Sequence, residues 1–225
     1  MSDDTVSAVA KAAEATSQTG GKLIEAMTSL GRVVKGPIVE MVGILEDRVK
    51  FARWERQLAL VDKAERVMAA RGMTKPTREL PINFAVPLLT AAVLEEDDYL
   101  QETWARLLAN AGDAATDMEL RTAFVEILRG MSAFDVRNLS KLAEATIAAP
   151  SGSPRYVGTM NLPHSSTYFP GSLQGDPNIS REVSISLANL IRLGCIVPTN
   201  GFGGGVHFFQ VLVTDLGLAL YHACS

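Results

Sequence analysis

Residues 80–94 carry no charged side chain, yet two prolines, Pro81 and Pro87, sit among them. A membrane span needs roughly 20 apolar residues, so a run this short and twice interrupted by proline reads as a buried helix. Proline suits the first turn, where its missing N–H has no intrahelical partner, so the helix is expected to start at Pro87 and to bury residues 86–94 on most sides. Glu95, Glu96, Asp97 and Asp98 follow. Consecutive carboxylates on a helix cannot converge on a cation, so they read as charge placed at the positive end of the next helix rather than as a metal site. In that helix Leu100, Thr103, Trp104, Leu107, Leu108 and Ala111 fall at the spacing of one helical face. Gly112 suits a left-handed position just past its end.

The remaining chain is organised around this helix pair. Residues 5–18 are alanine-rich and weakly amphipathic. Residues 23–45 form two short amphipathic patterns broken at Gly36 and Pro37. They suit packing on the core or on a second subunit, with membrane-surface association as the alternative. From residue 46 to 71 a long helical pattern places Phe51, Trp54, Leu58, Val61, Ala64 and Met68 along a seam, and Gly72 stops it. Its basic residues, Arg48, Arg53, Arg56 and Lys63 among them, form a stripe that an anionic partner could use. Glu55, Asp62 and Glu65 dilute the stripe and favour a solvated face. Two helices then follow, each with a capping-box spacing: Thr116 with Glu119, and Ser132 with Asp135.

Across residues 148–178 the character changes, because five of the ten prolines gather there. This reads as an irregular connection with a short strand at 156–160. Beyond it, Ser180 caps a helix closed by Gly194, residues 195–198 and 206–214 read as strands around a glycine-rich turn, and Thr214 caps a last helix. The fold expected is mainly α: a helical bundle with a C-terminal winged-helix-like α+β module. Its divisions are 1–45, 46–147, 148–178 and 179–225.

Functional chemistry is sparse. His164, His207, His222, Cys195 and Cys224 lack the spacing of a metal finger, and no nucleophile-elbow, zincin or phosphate-loop motif occurs. Catalytic residues, cofactor and metal are all read as none. The net charge is −4, and after residue 150 only Arg155, Arg181 and Arg192 are basic, so the phosphate-neutralising charge of a DNA-binding module is missing. Two cysteines give no disulfide framework, and the opening MSDDTVSAVAKAAEA lacks the order of a secretory signal, from which the cytoplasm is expected.

Three stretches carry a family resemblance: DRVKFARWERQLALVDKAERVMAARG at 47–72, LLTAAVLEEDDYLQETWARLLANAGD at 88–113 and FVEILRGMSAFDVRNL at 124–139. With the closing SLANLIRLGCI and VTDLGLALYHAC, the chain resembles the abortive-infection alpha family of bacterial phage-defence proteins, with W-A-R-L-L-A-N its most specific motif. The resemblance implies a protein that limits phage propagation at the cost of the infected cell, and it brings no catalytic residues. The function expected is therefore phage defence without catalysis, through a homo-oligomer or another protein partner. The alternatives are a membrane-peripheral effector working through residues 23–45 and a winged-helix DNA-binding regulator. Trp104, Leu107, Leu108 and Trp54 are expected to form the structural core of the motif. Trp104→Ala should cost about 3 to 5 kcal/mol in denaturant unfolding; an unchanged midpoint would place Trp104 outside the core.

Overall fold

A computed structural model of the protein describes residues 47–150, 156–168, 179–200 and 206–225, with only the backbone for 47–55. The patterns at 5–18 and 23–45, the glycine-rich turn and the side chains of Arg48, Arg53, Trp54 and His207 lie outside the described residues. Within them the chain is mainly helical with a small antiparallel sheet near its C-terminal end. The helices are α1 (Asp47–Ala70), α2 (Ile82–Leu94), α3 (Asp98–Ala111), α4 (Thr122–Arg129), α5 (Ala133–Ile147), α6 (Arg181–Arg192) and α7 (Asp215–Ala223). The strands are β1 (Tyr156–Gly158), β2 (Ile196–Asn200) and β3 (Val206–Val213). The chain forms two compact units: one holds α1, α2 and Trp104–Leu120, the other Glu96–Thr103 and everything from Arg121 onward.

In the first unit α1 packs against α2. Leu60, Val61, Ala64 and Met68 are buried along the predicted seam, and Gly72, with φ +74°, ends the helix in a conformation that only glycine adopts without strain. The start of α2 differs from the expectation. Its first turn begins at Ile82, where the Pro81 carbonyl accepts from the N–H groups of Phe84 and Ala85, and Pro87 lies inside the helix. An interior proline removes a rung at a cost of about 3 kcal/mol. The extra turn buries Phe84 to 1% exposure and Ala85 to 0%, and each large apolar side chain taken from water returns about 1.5 to 3 kcal/mol.

The N-terminus of α3 follows its carboxylates: Asp97 Oδ1 accepts from the N–H groups of Tyr99 (2.9 Å) and Leu100 (3.0 Å). Every residue of the predicted face, from Leu100 to Ala111, is buried. Gln101, Ala105, Ala109 and Asn110 are buried as well, so one-sided burial was too narrow an expectation. Small alanines on the remaining faces permit close approach where a larger side chain would hold neighbours away.

In the second unit α5 contacts α6, α7, β1 and β3. Its start is the capping box predicted from Ser132 and Asp135. The other predicted box is absent: α4 begins at Thr122, and the Thr116 hydroxyl donates to the carbonyls of Asn110 and Asp113 instead. The sheet order is β1-β3-β2, antiparallel throughout. Phe209, Val211 and Val213 of β3 are buried, matching the period-2 pattern, and Gln210 on the opposite side is buried too because β3 is the central strand.

A clasp joins the two ends of this module. Gly194, at φ +73°, turns the chain from α6 toward β2. The Thr214 backbone N–H donates to the Cys195 carbonyl at 3.0 Å, its hydroxyl donates to the Gly194 (2.7 Å) and Cys195 (3.1 Å) carbonyls, and the same oxygen accepts from the Gly217 N–H at 3.0 Å. The backbone of Cys195 then lies against Gly217, where an added Cβ would sit 2.2 Å from the Cys195 carbonyl oxygen. No rotamer relieves a clash between Cβ and backbone. Gly217→Ala is therefore expected to lower the unfolding midpoint by the equivalent of about 3 kcal/mol or more, whereas alanine at an exposed helix position would stabilise relative to glycine; circular dichroism during urea titration checks this.

Candidate functional site

Several buried polar side chains lie at helix ends, Asn110, Asp113 and Asp135 among them. A helix leaves its last four carbonyls without intrahelical donors, and where the end is buried the protein must supply them. The end of α3 is such a place, since Asn110 is 3% exposed and Ala111 fully buried. Arg78 meets the need. Its Nε donates to the Ala111 carbonyl at 2.7 Å, Nη1 to the Met118 carbonyl at 3.1 Å, and Nη2 to the Asn110 carbonyl at 3.2 Å and the Thr116 hydroxyl at 3.3 Å. The N–H groups of Thr77 and Arg78 both donate to the Gly112 carbonyl, at 2.8 and 2.9 Å.

Around this fork Arg71 Nη1 donates to Asn110 Oδ1, and Thr77 Oγ1 donates to Asp113 Oδ1 at 3.4 Å while accepting from the Ala114 N–H at 2.8 Å. This corrects the expectation for Gly112, whose φ is not positive. Its carbonyl is held by the N–H groups of Thr77 and Arg78, and a Cβ there would make an ordinary van der Waals contact with Pro76 at 3.4 Å.

A second polar cluster joins α5 to α6. Asp135 Oδ2 accepts from the Ser132 N–H (2.8 Å), the Ser132 hydroxyl (2.8 Å) and Asn189 Nδ2 (3.0 Å). Asn189 Nδ2 also donates to the Gly130 carbonyl at 2.8 Å, and its Oδ1 accepts from Arg192 Nε and Nη2 at 3.0 and 2.7 Å. About one turn further along the same pair of helices, the fully buried Asn138 donates from Nδ2 to Ser186 Oγ at 2.9 Å. Its Oδ1 has no protein donor.

The predicted positions fall into separate places. Trp104 is 1% exposed, Leu107 0% and Leu108 5%, all in the core. Of the basic stripe, Arg56 and Lys63 are half-buried on α1, and the side chains of Arg48 and Arg53 lie outside the described residues. Cys195 is buried, and desolvation pushes its thiol up to about 12, which keeps it protonated and unreactive at neutral pH. On the surface, Arg137 lies 4.8 Å over the Tyr99 ring, and Lys141, one turn along α5, donates to Glu144 at 2.8 Å, which raises its pKa. The exposed side of α6 presents Arg181, Ile185, Ala188 and Arg192, with Ile185 62% exposed. An apolar side chain between two arginines is poor chemistry for reading phosphates and bases.

Arg78 is the residue that sequence reasoning missed. It stands between Gly72, which stops α1, and Pro81, and a lone arginine there gives no sign of the helix end it serves. Among the described residues no group of three or more His, Cys, Asp and Glu is placed to hold a metal ion, and no helix is long and apolar enough to cross a membrane.

Arg78→Ala would strand the buried carbonyls of Asn110 and Ala111, each at about 1 to 3 kcal/mol. Unfolding stability is expected to fall accordingly. Arg78→Lys should recover less than half of it, because an ammonium cannot reproduce the planar fork; equal midpoints for wild type and Arg78→Lys would contradict this.

A family model described as abortive infection alpha matches residues 55–224. Neither a curated protein nor a solved structure matches the chain.

Proposed function

The chain belongs to the abortive infection alpha family, and on that premise we propose that it is a phage-defence protein acting without catalysis, through self-association or a protein partner. The family match over residues 55–224 carries the reading. What supports the non-catalytic part is how the polar groups are employed. Arg78, Asp135, Asn189 and Thr214 are spent on helix ends, and the Cys195 thiol is held protonated by burial. In this reading the helical body and the winged-helix-like C-terminal module form a stable scaffold. The Arg181–Ile185–Ala188–Arg192 side of α6 suits contact with protein better than with DNA.

Expression in a susceptible bacterial host, challenged with a phage panel, tests the proposal. Expected are reduced plaquing for at least one phage and death of the infected cells without a productive burst. Unchanged plaquing and growth across a broad panel would count against it. Sedimentation velocity of the purified protein should show a species larger than the 24.1 kDa monomer, or a complex once the partner is present.

A further inference from the structure

Helix α6 carries two residues that its local structure does not favour. Arg181 occupies the first helical position, where the positive end of the macrodipole and the unpaired N–H groups prefer a carboxylate. One turn on, Ile185 is 62% exposed, the most open large apolar side chain among the described residues. Both stand on one side of the helix. At about 100° per residue, Arg181, Ile185, Ala188 and Arg192 fall within a stripe about 60° wide, and the exposed Glu182 lies about 60° beyond its edge. All four residues of the stripe are exposed, and its two arginines stand about 16 Å apart along the axis. Arg192 donates from Nε and Nη2 to Asn189 Oδ1 at 3.0 and 2.7 Å, which holds its guanidinium in place and leaves further N–H donors for an outside acceptor. Residues that break local preference together on one exposed side mark a surface that meets something. We propose that this side of α6 docks on residues 96–99 of a second copy of the chain.

Charge complementarity names the occupant. Glu96, Asp97 and Asp98 are exposed, and Tyr99 beside them is 36% exposed. Asp97 Oδ1 caps α3, and Glu96 and Asp98 add negative charge on either side of it. Arg137, 4.8 Å over the Tyr99 ring, is one cation beside three carboxylates, so this short surface stays acidic. Two arginines flanking an isoleucine thus meet three carboxylates beside a tyrosine, with charge pairs to set the register and apolar contact between them. Other anionic occupants fit less well. A phosphate backbone would draw the arginines but gain nothing from Ile185, and a lipid surface would find only two cations here on a chain whose net charge is −4. About a two-fold axis each copy offers both surfaces, so the contact forms twice, and the area buried doubles toward the roughly 800 Å² per partner of a stable dimer.

The inference rests on the self-association reading above, and its test has no phage readout. In sedimentation velocity of the full chain, the wild type should exceed the monomer at low salt and shift toward it at about 1 M salt, where the screening length falls to about 3 Å. Arg181→Glu with Arg192→Glu should raise the dissociation constant at least about tenfold, and so should Glu96→Lys with Asp98→Lys, which spares the Asp97 cap. Mixed in equal amounts, the two double variants should associate again, because each altered side then meets its opposite charge; a folding defect is not repaired by mixing. If the arginine pair disturbs α6 in circular dichroism, the Glu96→Lys, Asp98→Lys variant decides alone. A monomeric wild type would overturn both this inference and self-association. A wild-type oligomer that the charge reversals leave intact, or folded variants that stay apart on mixing, would overturn this inference alone.

Discussion

The carbonyls at the end of α3 set the terms for much of the first unit. A buried helix end has to be given donors, and here the donors come from an arginine and a loop backbone, not from a cap within the helix. Once Arg78 occupies the carbonyls of Asn110, Ala111 and Met118, the loop 72–81 can lie in one place only, and with it the angle at which the chain enters α2. The W-A-R-L-L-A-N motif acquires a physical meaning from this. Trp104, Leu107 and Leu108 fill the core, and Asn110 is the residue on which Arg71 and Arg78 converge, through its side chain and its backbone respectively.

The closing motifs L-G-C and T-D-L-G work on the same principle. Thr214 donates to two carbonyls and accepts one N–H, so a single hydroxyl ties the exit of α6 to the start of α7, and Gly217 lets the two backbones meet. Cys195, a candidate for chemistry by type that lies beside this clasp, is packed in the core and held protonated by burial. Among the described residues, Arg78, Asp135, Asn189 and Thr214 are occupied in holding helix ends. Facing outward are the uncharged side of α2, with Ile82 and Leu94 exposed, and the Arg–Ile–Ala–Arg side of α6.

Legibility followed the range of the interaction. Asp97, Ser132, Ser180 and Thr214 were readable as helix starts, since each hydroxyl or carboxylate serves an N–H two or three residues ahead. Thr116 obeyed the same spacing and yet bonds backward, to Asn110 and Asp113, because the buried carbonyls there compete for its proton. Pro87, expected at a helix start on local grounds, lies inside the helix, where burial of Phe84 and Ala85 offsets the missing rung. The outward surfaces were half legible: the uncharged composition of residues 80–94 was plain, but which of them remain open to solvent was not.

By itself the sequence determined the type and order of the helices among the described residues, the alternation of β3 and the core positions of α3, because periodicity and capping are written within a few residues, and its motifs carried the family. Tertiary structure alone decided what Arg78 does, why Gly217 must be small, and which residues of α2 stay exposed. The Arg78 contacts span 32 to 40 residues of chain, and the Gly217 contact joins α7 to the strand entry at Cys195. Donors and neighbours that distant are chosen by the packing of whole helices, which local spacing does not encode.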